Sequence, residues 1–327
     1  MYQMWKTTLV NKSNVNEFSV QGFTDSAQLR YPLFIMFLSV YITIVMSNLT
    51  VIAAIVFGPP LHTPMYVFLC NLSVLDIFYT STVLPKFLIM TFTQYKVISF
   101  AGCMAQLYFF LSFASIEVFL LAVMAYDRYV AICRPLRYSL RMSPHHCARL
   151  VFTAWICGLL NTTGHTVLIS NLSFCASHHI DYFFCDVFPL LKLSCSDTSI
   201  IEILTFVLGS FTSMSAFFST LISYLFIIST ILNIHSATGR QKTFSTCASH
   251  LVCVVIFYGT IICLYVRPAS TYSPDKDKFF ALLYIILIPL LNPLIYTLKN
   301  KDFKKDFKDV FKKINNKLFC TAMFNKR

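Results

Sequence analysis

The sequence predicts an all-α membrane protein, a bundle of seven transmembrane helices with an amphipathic helix at its C-terminal end. Three observations predict this fold class: the composition, the length of the apolar runs and the placement of the basic residues. Of the 327 residues, 57% are hydrophobic and only 12% are charged, whereas a soluble domain has roughly 25% charged residues. A soluble core of this size could not bury so much apolar surface. A soluble enzyme is therefore excluded.

Apolar runs of about 20 residues are long enough to cross a bilayer as helices. Such runs occur seven times, at residues 32–57, 65–90, 101–132, 146–168, 201–232, 243–266 and 278–298. They define one helix bundle over residues 32–298, preceded by an N-terminal segment, 1–31, and followed by a tail, 299–327. The longest connection between spans is the loop 169–200.

The basic residues predict how the chain is oriented in the membrane. Lys and Arg cluster after the third, fifth and seventh spans, and ten of them lie in the tail from Lys299 to Arg327. By the positive-inside rule the C-terminus is cytoplasmic, and an odd number of spans places the N-terminus outside the cell. The first 20 residues lack the pattern of a cleaved signal peptide. The net charge of +12 suits the anionic inner leaflet of the plasma membrane and not nucleic acid.

Two covalent features are expected on the outer side. The tripeptide Asn11-Lys-Ser is a glycosylation acceptor pattern, so a glycan is expected at Asn11, and Asn171-Leu-Ser matches the same pattern. Four of the twelve cysteines lie where disulfides persist, at Cys103, Cys175, Cys185 and Cys195. Four cysteines allow three pairings, and the residues alone do not choose among them.

Two acidic residues lie deep within predicted spans, Asp76 in the second and Glu117 in the third. An ionisable residue inside the membrane is costly and usually marks a function. Two carboxylates at one depth repel each other, so either one is protonated or a cation lies between them. The alternatives are a hydrogen-bonded pair that only joins helices, the ion path of a channel or transporter, and the acid–base couple of an enzyme. The segment between Glu117 and Asp127 is apolar, and no third catalytic group is apparent.

The third span ends in the tripeptide Asp127-Arg128-Tyr129. Arg128 lies 11 residues after Glu117 and 18 residues after Phe110, which is about three and five helical turns. One helix face therefore runs from an expected outer cavity through the buried acid to a cytoplasmic arginine. The Asp127–Arg128 pair is either an ordinary interfacial ion pair or a lock whose guanidinium is released when the helices move.

Residues 124–133 (MAYDRYVAIC) resemble the signature of the odorant receptors, a branch of the rhodopsin-like G-protein-coupled receptors. Further stretches resemble the motifs of this family in the right order: 61–66 (LHTPMY), 72–76 (LSVLD), 223–224 (SY), 242–251 (KTFSTCASHL), 257–259 (FYG) and 289–296 (PLLNPLIY). The resemblance covers nearly the whole chain, from about Phe18 to Lys305. The runs 242–247 and 189–195 are similar to those of the tetrapod-type (class II) branch, which implies volatile and fairly apolar ligands.

This resemblance implies that an odorant opens the cytoplasmic ends of the third, fifth and sixth spans to a stimulatory G protein of the olfactory type, which raises cAMP. No cofactor is implied apart from a sodium ion held between Asp76 and Glu117. Tyr182 stands where the family often has a histidine of a proposed metal motif, so no metal site is expected there. The implied disulfides are Cys103–Cys185 and Cys175–Cys195. The residues assigned to coupling are Asp127, Arg128, Tyr129, Tyr224, Asn292, Pro293 and Tyr296.

The odorant cavity is expected in the outer halves of the third, fifth and sixth spans. Candidates in the third span follow an i, i+1, i+4, i+5 pattern that faces one side of a helix. The candidates are Phe110, Leu111, Ala114, Ser115, Leu208, Thr212, Tyr258, Ile261, Ile262 and Tyr265. Each is equally consistent with plain helix packing, although Tyr258 and Tyr265 stand out because a buried hydroxyl needs a hydrogen-bond partner.

The tail predicts an amphipathic helix over residues 300–318. Its apolar side chains fall on one helical face with lysines around the rest, at Phe303, Phe307, Val310, Phe311, Ile314 and Leu318. Such a helix lies in the plane of the inner leaflet. It is either an eighth helix that contacts the G protein or a plain membrane anchor.

Overall fold

The computed structural model describes residues 15–22, 27–174, 178–265 and 273–298. The helices in chain order are α1 (Ala27–Phe57), α2 (Pro64–Thr93), α3 (Phe100–Cys133), α4 (Tyr138–Arg141), α5 (Pro144–Ser170), α6 (Val187–Leu193), α7 (Ser199–Leu232), α8 (Ala237–Tyr265), α9 (Pro274–Leu282) and α10 (Ile288–Leu298). A π-helical segment, Leu283–Leu287, joins α9 to α10. The predicted glycan site Asn11, Cys175 and the tail 299–327 lie outside the described residues, and so do the side chains of Tyr265 and Tyr296.

The described helices confirm an all-α membrane protein. Within the described residues, five helical segments are long and apolar enough to cross a membrane: Gln28–Phe57, Pro64–Thr93, Phe100–Cys133, Ser199–Leu232 and Lys276–Ile295. The predicted spans 146–168 and 243–266 coincide with α5 and α8, which are long but less apolar; the apolar part of α8 is His250–Leu264. In α5 the polar run 161–166 (NTTGHT) lowers the hydropathy.

Serine caps set where the two adjacent helices α3 and α5 begin. Oγ of Ser99 accepts a hydrogen bond from the Gly102 N–H at 3.2 Å at the start of α3. Oγ of Ser143 accepts one from the His146 N–H at 3.4 Å, and Pro144 occupies the first turn of α5. Serine at the cap and proline in the first turn both favour helix initiation. Each helix therefore starts one or two residues before its apolar run.

The helix α3 packs against α2, α5 and α7. It approaches α5 closely because Gly158 has no side chain: a Cβ there would lie 2.8 Å from the backbone nitrogen of Ile116. Across the same interface the hydroxyls of Ser112 and Thr162 form a hydrogen bond of 2.5 Å. These contacts fix the register of the two helices.

Three short strands, which the sequence did not predict, cover one end of the bundle, called the loop end below. The strand β1 (Glu17–Val20) lies between β2 (Val97–Ser99), to which it is antiparallel, and β3 (His179–Ile180), to which it is parallel. Phe18 of β1 is fully buried, with its ring centroid 6.0 Å from that of Phe100 and 5.3 Å from that of Phe174. The N-terminal segment is thereby anchored to the bundle.

A disulfide also anchors the long loop at the loop end. Cys103 in α3 is bonded to Cys185, which is the pairing that the family resemblance implied. The backbone N–H of Cys185 donates to Gln106 at 3.0 Å, and the Gln106 amide donates to the Thr82 carbonyl of α2 at 2.9 Å. Cys195 is disulfide-bonded as well. The loop is thus tied to two helices of the bundle.

Candidate functional site

The two buried acids contact the π-helical segment and α10, which together with α9 correspond to the seventh predicted span. Both carboxylate oxygens of Asp76 accept hydrogen bonds from the Asn292 amide, at 3.2 and 3.1 Å. Oε2 of Glu117 accepts one from the Tyr284 hydroxyl at 3.2 Å, whereas Oε1 has no hydrogen-bond partner among the described residues. Asp76 and Glu117 are only 1% and 2% exposed, and their carboxylates lie close enough to repel each other. The structure therefore brings the predicted acid pair together with Asn292.

The aromatic residues around this site form a continuous packed cluster. The Tyr79 ring lies 5.0 Å from Phe110 and 4.7 Å from Tyr284, measured between centroids. Phe110 also contacts Phe184 of the long loop, at 4.6 Å. Since Phe110 is completely buried in this cluster, it connects the loop to the residues that hold Glu117.

Near the C-terminal end of α3, away from the loop end, Asp127 and Arg128 form an ion pair, with Nη2 and Oδ2 separated by 3.4 Å. The Tyr138 hydroxyl donates to Oδ1 of Asp127 at 2.9 Å. Burial and the Asp127 carboxylate raise the pKa of Tyr138 above its usual value, so the hydroxyl stays protonated and keeps donating. Asp127 is buried, whereas the Arg128 side chain is 17% exposed. Tyr129 packs on Phe226 of α7, with centroids 5.8 Å apart.

A second polar contact joins α7 to α8 near this end. The Tyr224 hydroxyl lies 2.7 Å from Nδ1 of His250 and 3.3 Å from the Cys247 carbonyl oxygen. His250 is almost completely buried and was not among the predicted coupling residues. The motif 242–251, which contains it, was the signal that could have identified it. Tyr224 therefore lies at the α7–α8 contact.

The polar residues of the seventh segment are fixed by neighbouring helices. Asn292 and Pro293 lie within α10, where Asn292 bonds Asp76 of α2. The Asn48 amide of α1 donates to the Pro289 carbonyl at 3.1 Å. Both contacts hold α10 against α1 and α2. A movement of α10 would therefore change the hydrogen bonds of Asp76.

A cavity opens between α3, α5 and α7 near the loop end. It contains about 620 Å³ of space not filled by protein atoms, part of it open to the outside. Its lining residues are Leu111, Ala114, Ser115, Val118, Asn161, Thr162, His165, Val187, Thr205, Gly209, Thr212, Ser213 and Ile261. Of the described residues, α8 contributes Ile261 to the wall and the long loop contributes Val187.

Half of the predicted ligand-binding residues line this cavity: Leu111, Ala114, Ser115, Thr212 and Ile261. Phe110 lies in the aromatic cluster instead, and the buried Tyr258 hydroxyl donates to the Val118 carbonyl at 3.3 Å. Leu208 and Ile262 are half-buried and are not among the lining residues. Sequence reasoning missed the contribution of α5, because the fourth span was interpreted only as a membrane helix; its polar run 161–166 was the available signal.

The residue that replaces the family's usual histidine has a structural contact of its own. The Tyr182 hydroxyl donates to the backbone carbonyl of Asp277 in α9 at 2.9 Å. Next to it, Nζ of Lys278 lies 2.7 Å from the Asp181 carboxylate. Among the described residues there is no group of three His, Cys, Asp or Glu side chains that could hold a metal ion. The loop here is fastened to α9 by a hydrogen bond and an ion pair.

Comparison with known proteins gives one consistent result. Residues 37–314 match the family model described as olfactory receptor. Olfactory receptor 5AR1 of Mus musculus is 49% identical over 292 residues, which cover 89% of this chain and 94% of that protein. Olfactory receptor 1G1 of Gorilla gorilla gorilla is 47% identical over 89% of this chain and 93% of its own. Olfactory receptor 8D1 of Homo sapiens is 46% identical over 295 residues, covering 90% and 96%.

Proposed function

The chain belongs to the olfactory receptor family, and from this premise we propose where it binds odorants and which G protein it activates. As a family member it is a multi-pass membrane receptor for odorants that couples to a G protein, and it is not an enzyme. The comparisons give no support to the alternative of an ion channel or transporter. The proposed partner is a stimulatory G protein of the olfactory type, so that odorant binding raises cAMP.

The observation that carries the proposed binding site is the cavity between α3, α5 and α7. Predicted residues from three helices, such as Ala114, Thr212 and Ile261, line it together. Apolar burial contributes about 25 cal/mol per Å², and a small odorant adds one or two hydrogen bonds. The expected affinity is millimolar to micromolar, roughly −4 to −8 kcal/mol.

The helix α3 connects this cavity to the proposed coupling end. It carries Ala114 at the cavity, Glu117 at the acid pair and the Asp127–Arg128 ion pair at its last turns. An odorant shifts the equilibrium between inactive and active packings only through its differential affinity for the two. A ligand that binds better when α7 and α8 have moved would therefore favour release of Arg128 and of the Tyr224 contact.

The proposed orientation places the loop end outside the cell and the Arg128 end in the cytoplasm of a plasma-membrane receptor. The charge distribution of the sequence supports it. The Cys103–Cys185 disulfide lies at the loop end, and disulfides persist in oxidising compartments. For the tail, which lies outside the described residues, we retain the proposal of a membrane-bound eighth helix at the cytoplasmic face.

A cation site between Asp76 and Glu117 is part of the proposal. The residues fit a hard monovalent cation, because both carboxylates are buried and Oε1 of Glu117 has no hydrogen-bond partner among the described residues. Oxygen ligands of this kind suit hard cations. Bound sodium would offset the repulsion between the two acids and stabilise the packing in which they face each other.

The experiment that tests the proposed function is an odorant panel screened in cells that express this chain. Cyclic AMP is measured with the olfactory-type stimulatory G protein present, and again with a G protein of the inhibitory class in its place. We expect some odorants to raise cAMP only with the stimulatory protein. Odorant responses that require the inhibitory class would contradict the proposed coupling.

A further inference from the structure

The cavity has a wall of polar side chains that the proposed function does not yet explain. This polar wall consists of Ser115, Asn161, His165 and Thr205, from α3, α5 and α7. The Asn161 amide donates to the Ser115 hydroxyl at 3.3 Å. The remaining lining residues are apolar or carry small hydroxyls, and none of the described residues in the lining is Asp, Glu, Lys or Arg. The cavity therefore presents hydrogen-bonding groups without a charge.

His165 presents an unpaired nitrogen. Its Nδ1 lies 3.3 Å from the Asn161 carbonyl oxygen, and since a carbonyl only accepts, Nδ1 carries the proton. In the neutral ring Nε2 is then an acceptor. Nε2 has no hydrogen-bond partner among the described residues, and the nearby Leu204 carbonyl oxygen is an acceptor that cannot satisfy it. The His165 side chain needs a donor to satisfy it.

Thr205 presents an unpaired hydroxyl from α7. Helical threonines of this chain usually donate to the carbonyl four residues earlier, as Thr80 does at 2.7 Å and Thr82 at 2.8 Å. Oγ1 of Thr205 has no such bond and no other partner within the described ranges. His165 and Thr205 are both only 7% exposed. A buried polar atom without a partner is destabilising, and each one calls for an unseen partner such as a ligand or a water.

From these contacts we infer that the cavity selects neutral odorants with one hydroxyl group, that is, alcohols or phenols, through His165 and Thr205. This inference rests on the proposed function, since it names the class of odorant for the same cavity. The odorant hydroxyl donates its hydrogen to Nε2 of His165 and accepts one from Oγ1 of Thr205. An ether or ketone of the same size can only accept, so it leaves Nε2 unsatisfied.

Charged odorants are excluded by the same wall. An amine or carboxylate loses its hydration in the cavity, and no lining residue in the described part of the chain supplies an opposite charge. Burying an ion without a partner is far more costly than burying a hydroxyl with two hydrogen bonds. A hydrocarbon enters without this penalty but leaves both polar atoms unpaired.

The test compares compounds that differ only in the polar group. The linear set is 1-octanol, heptyl methyl ether, 2-octanone, nonane and octylamine. A branched set and an aromatic set, each made of the same five compound classes, extend the range of shapes. Potency is read as cAMP in cells, and binding as the thermal stability of the purified receptor. In any set that gives a response, the alcohol or phenol is expected to be about tenfold more potent than its ether.

Variants separate recognition from packing. His165→Leu removes the acceptor that only an alcohol or phenol can use, so it should weaken the alcohol about tenfold and the ether less than about twofold. Thr205→Val keeps the shape and removes the donor that an alcohol, an ether and a ketone can all use, so it should weaken all three classes, whereas Thr205→Ser should keep the wild-type potencies. Thr163→Val is the matched control, because Thr163 is exposed and donates to its own helix at the Leu159 carbonyl.

Three results would overturn the inference: ethers as potent as alcohols in the wild type, equal shifts of both classes in His165→Leu, or no alcohol or phenol that acts in either assay. Equal shifts are also what a buried water held by the two residues would produce. If alcohols stabilise the purified receptor but raise no cAMP, the inference stands and the proposed coupling fails. If only odorants other than alcohols and phenols raise cAMP, the proposed function stands and the inference fails.

Discussion

At the scale of single residues, the charged residues of this chain fall into two groups by position. Most Lys and Arg residues lie outside the spans, but Asp76, Glu117 and Asp127 are buried against named partners. The sequence could place these acids in the spans. It could not show that Asn292 donates to both oxygens of Asp76, because that contact joins residues 216 positions apart.

The acid pair predicts a sodium effect that can be measured without odorant. Sodium chloride should stabilise the purified receptor relative to choline chloride, by about 1 kcal/mol at a concentration a few times the dissociation constant. Glu117→Gln should abolish the difference, because the carboxylate with the unpaired oxygen is neutralised. Thermal unfolding checks this.

The control for the sodium measurement is Glu202→Gln. Glu202 accepts a hydrogen bond from Thr198 at 2.7 Å near the start of α7, away from the acid pair. It should keep the wild-type response to sodium. Equal stabilisation of the wild type and Glu117→Gln by sodium would show that no cation is held by Glu117.

The ion pair predicts that Arg128→Ala removes coupling. Its guanidinium lies 3.4 Å from Asp127 at the end of α3 and is the group proposed to be released on activation. Odorant-evoked cAMP should fall to the basal level at matched surface expression, while odorant binding to the purified receptor persists. Arg149→Ala, at an exposed position of α5, should respond normally. An unchanged cAMP response of Arg128→Ala would refute the coupling role.

At the scale of the elements, the helices follow from apolar runs and caps, whereas their contacts follow from particular side chains. Ser99 and Ser143 cap the starts of α3 and α5 through hydrogen bonds to residues three positions later. Such local caps follow from the sequence itself. The strand β1 does not follow from its own residues. It is too short to form alone and exists because β2 and β3 lie on either side of it.

The α3–α5 contact predicts that Gly158→Ala destabilises the bundle. The added methyl group would lie 2.8 Å from the backbone nitrogen of Ile116, and backbone cannot move aside as a side chain can. The expected loss is about 1–3 kcal/mol, seen as a lower melting temperature of the purified receptor. Gly164→Ala on the same helix is the control, since no atom outside the adjacent turns of its own helix backbone lies within 4 Å of its added Cβ. Equal stability of the two variants would contradict the close approach.

At the scale of the whole molecule, the loop end is a cover held by the disulfide, the three strands and the Lys278–Asp181 ion pair. It lies next to the cavity, since Val187, two residues after Cys185, contributes to the lining. The cover therefore determines how one side of the cavity is closed.

The disulfide predicts that Cys103→Ser prevents surface expression. Without the bond, Cys185 and the loop lose their covalent attachment to α3, and loss of a native disulfide costs about 2–5 kcal/mol. Surface labelling of intact cells measures the effect. Cys157→Ser, which changes an exposed free cysteine, should traffic normally. Normal surface levels of Cys103→Ser would show that this bond is not needed for folding.

The sequence by itself determined the membrane fold class, the odorant-receptor family and the position of the charged residues along α3. These follow from composition, apolar periodicity and local motifs, which depend on neighbours along the chain. Only the tertiary structure decided which residues line the cavity. It brought Asn161, Thr162 and His165 of α5 into one cavity with Thr205 of α7, and it placed Phe110 in the aromatic cluster. The physical reason is that helix rotation and register are set by side-chain packing between distant segments, such as Gly158 against Ile116, and apolar runs alone do not encode this packing.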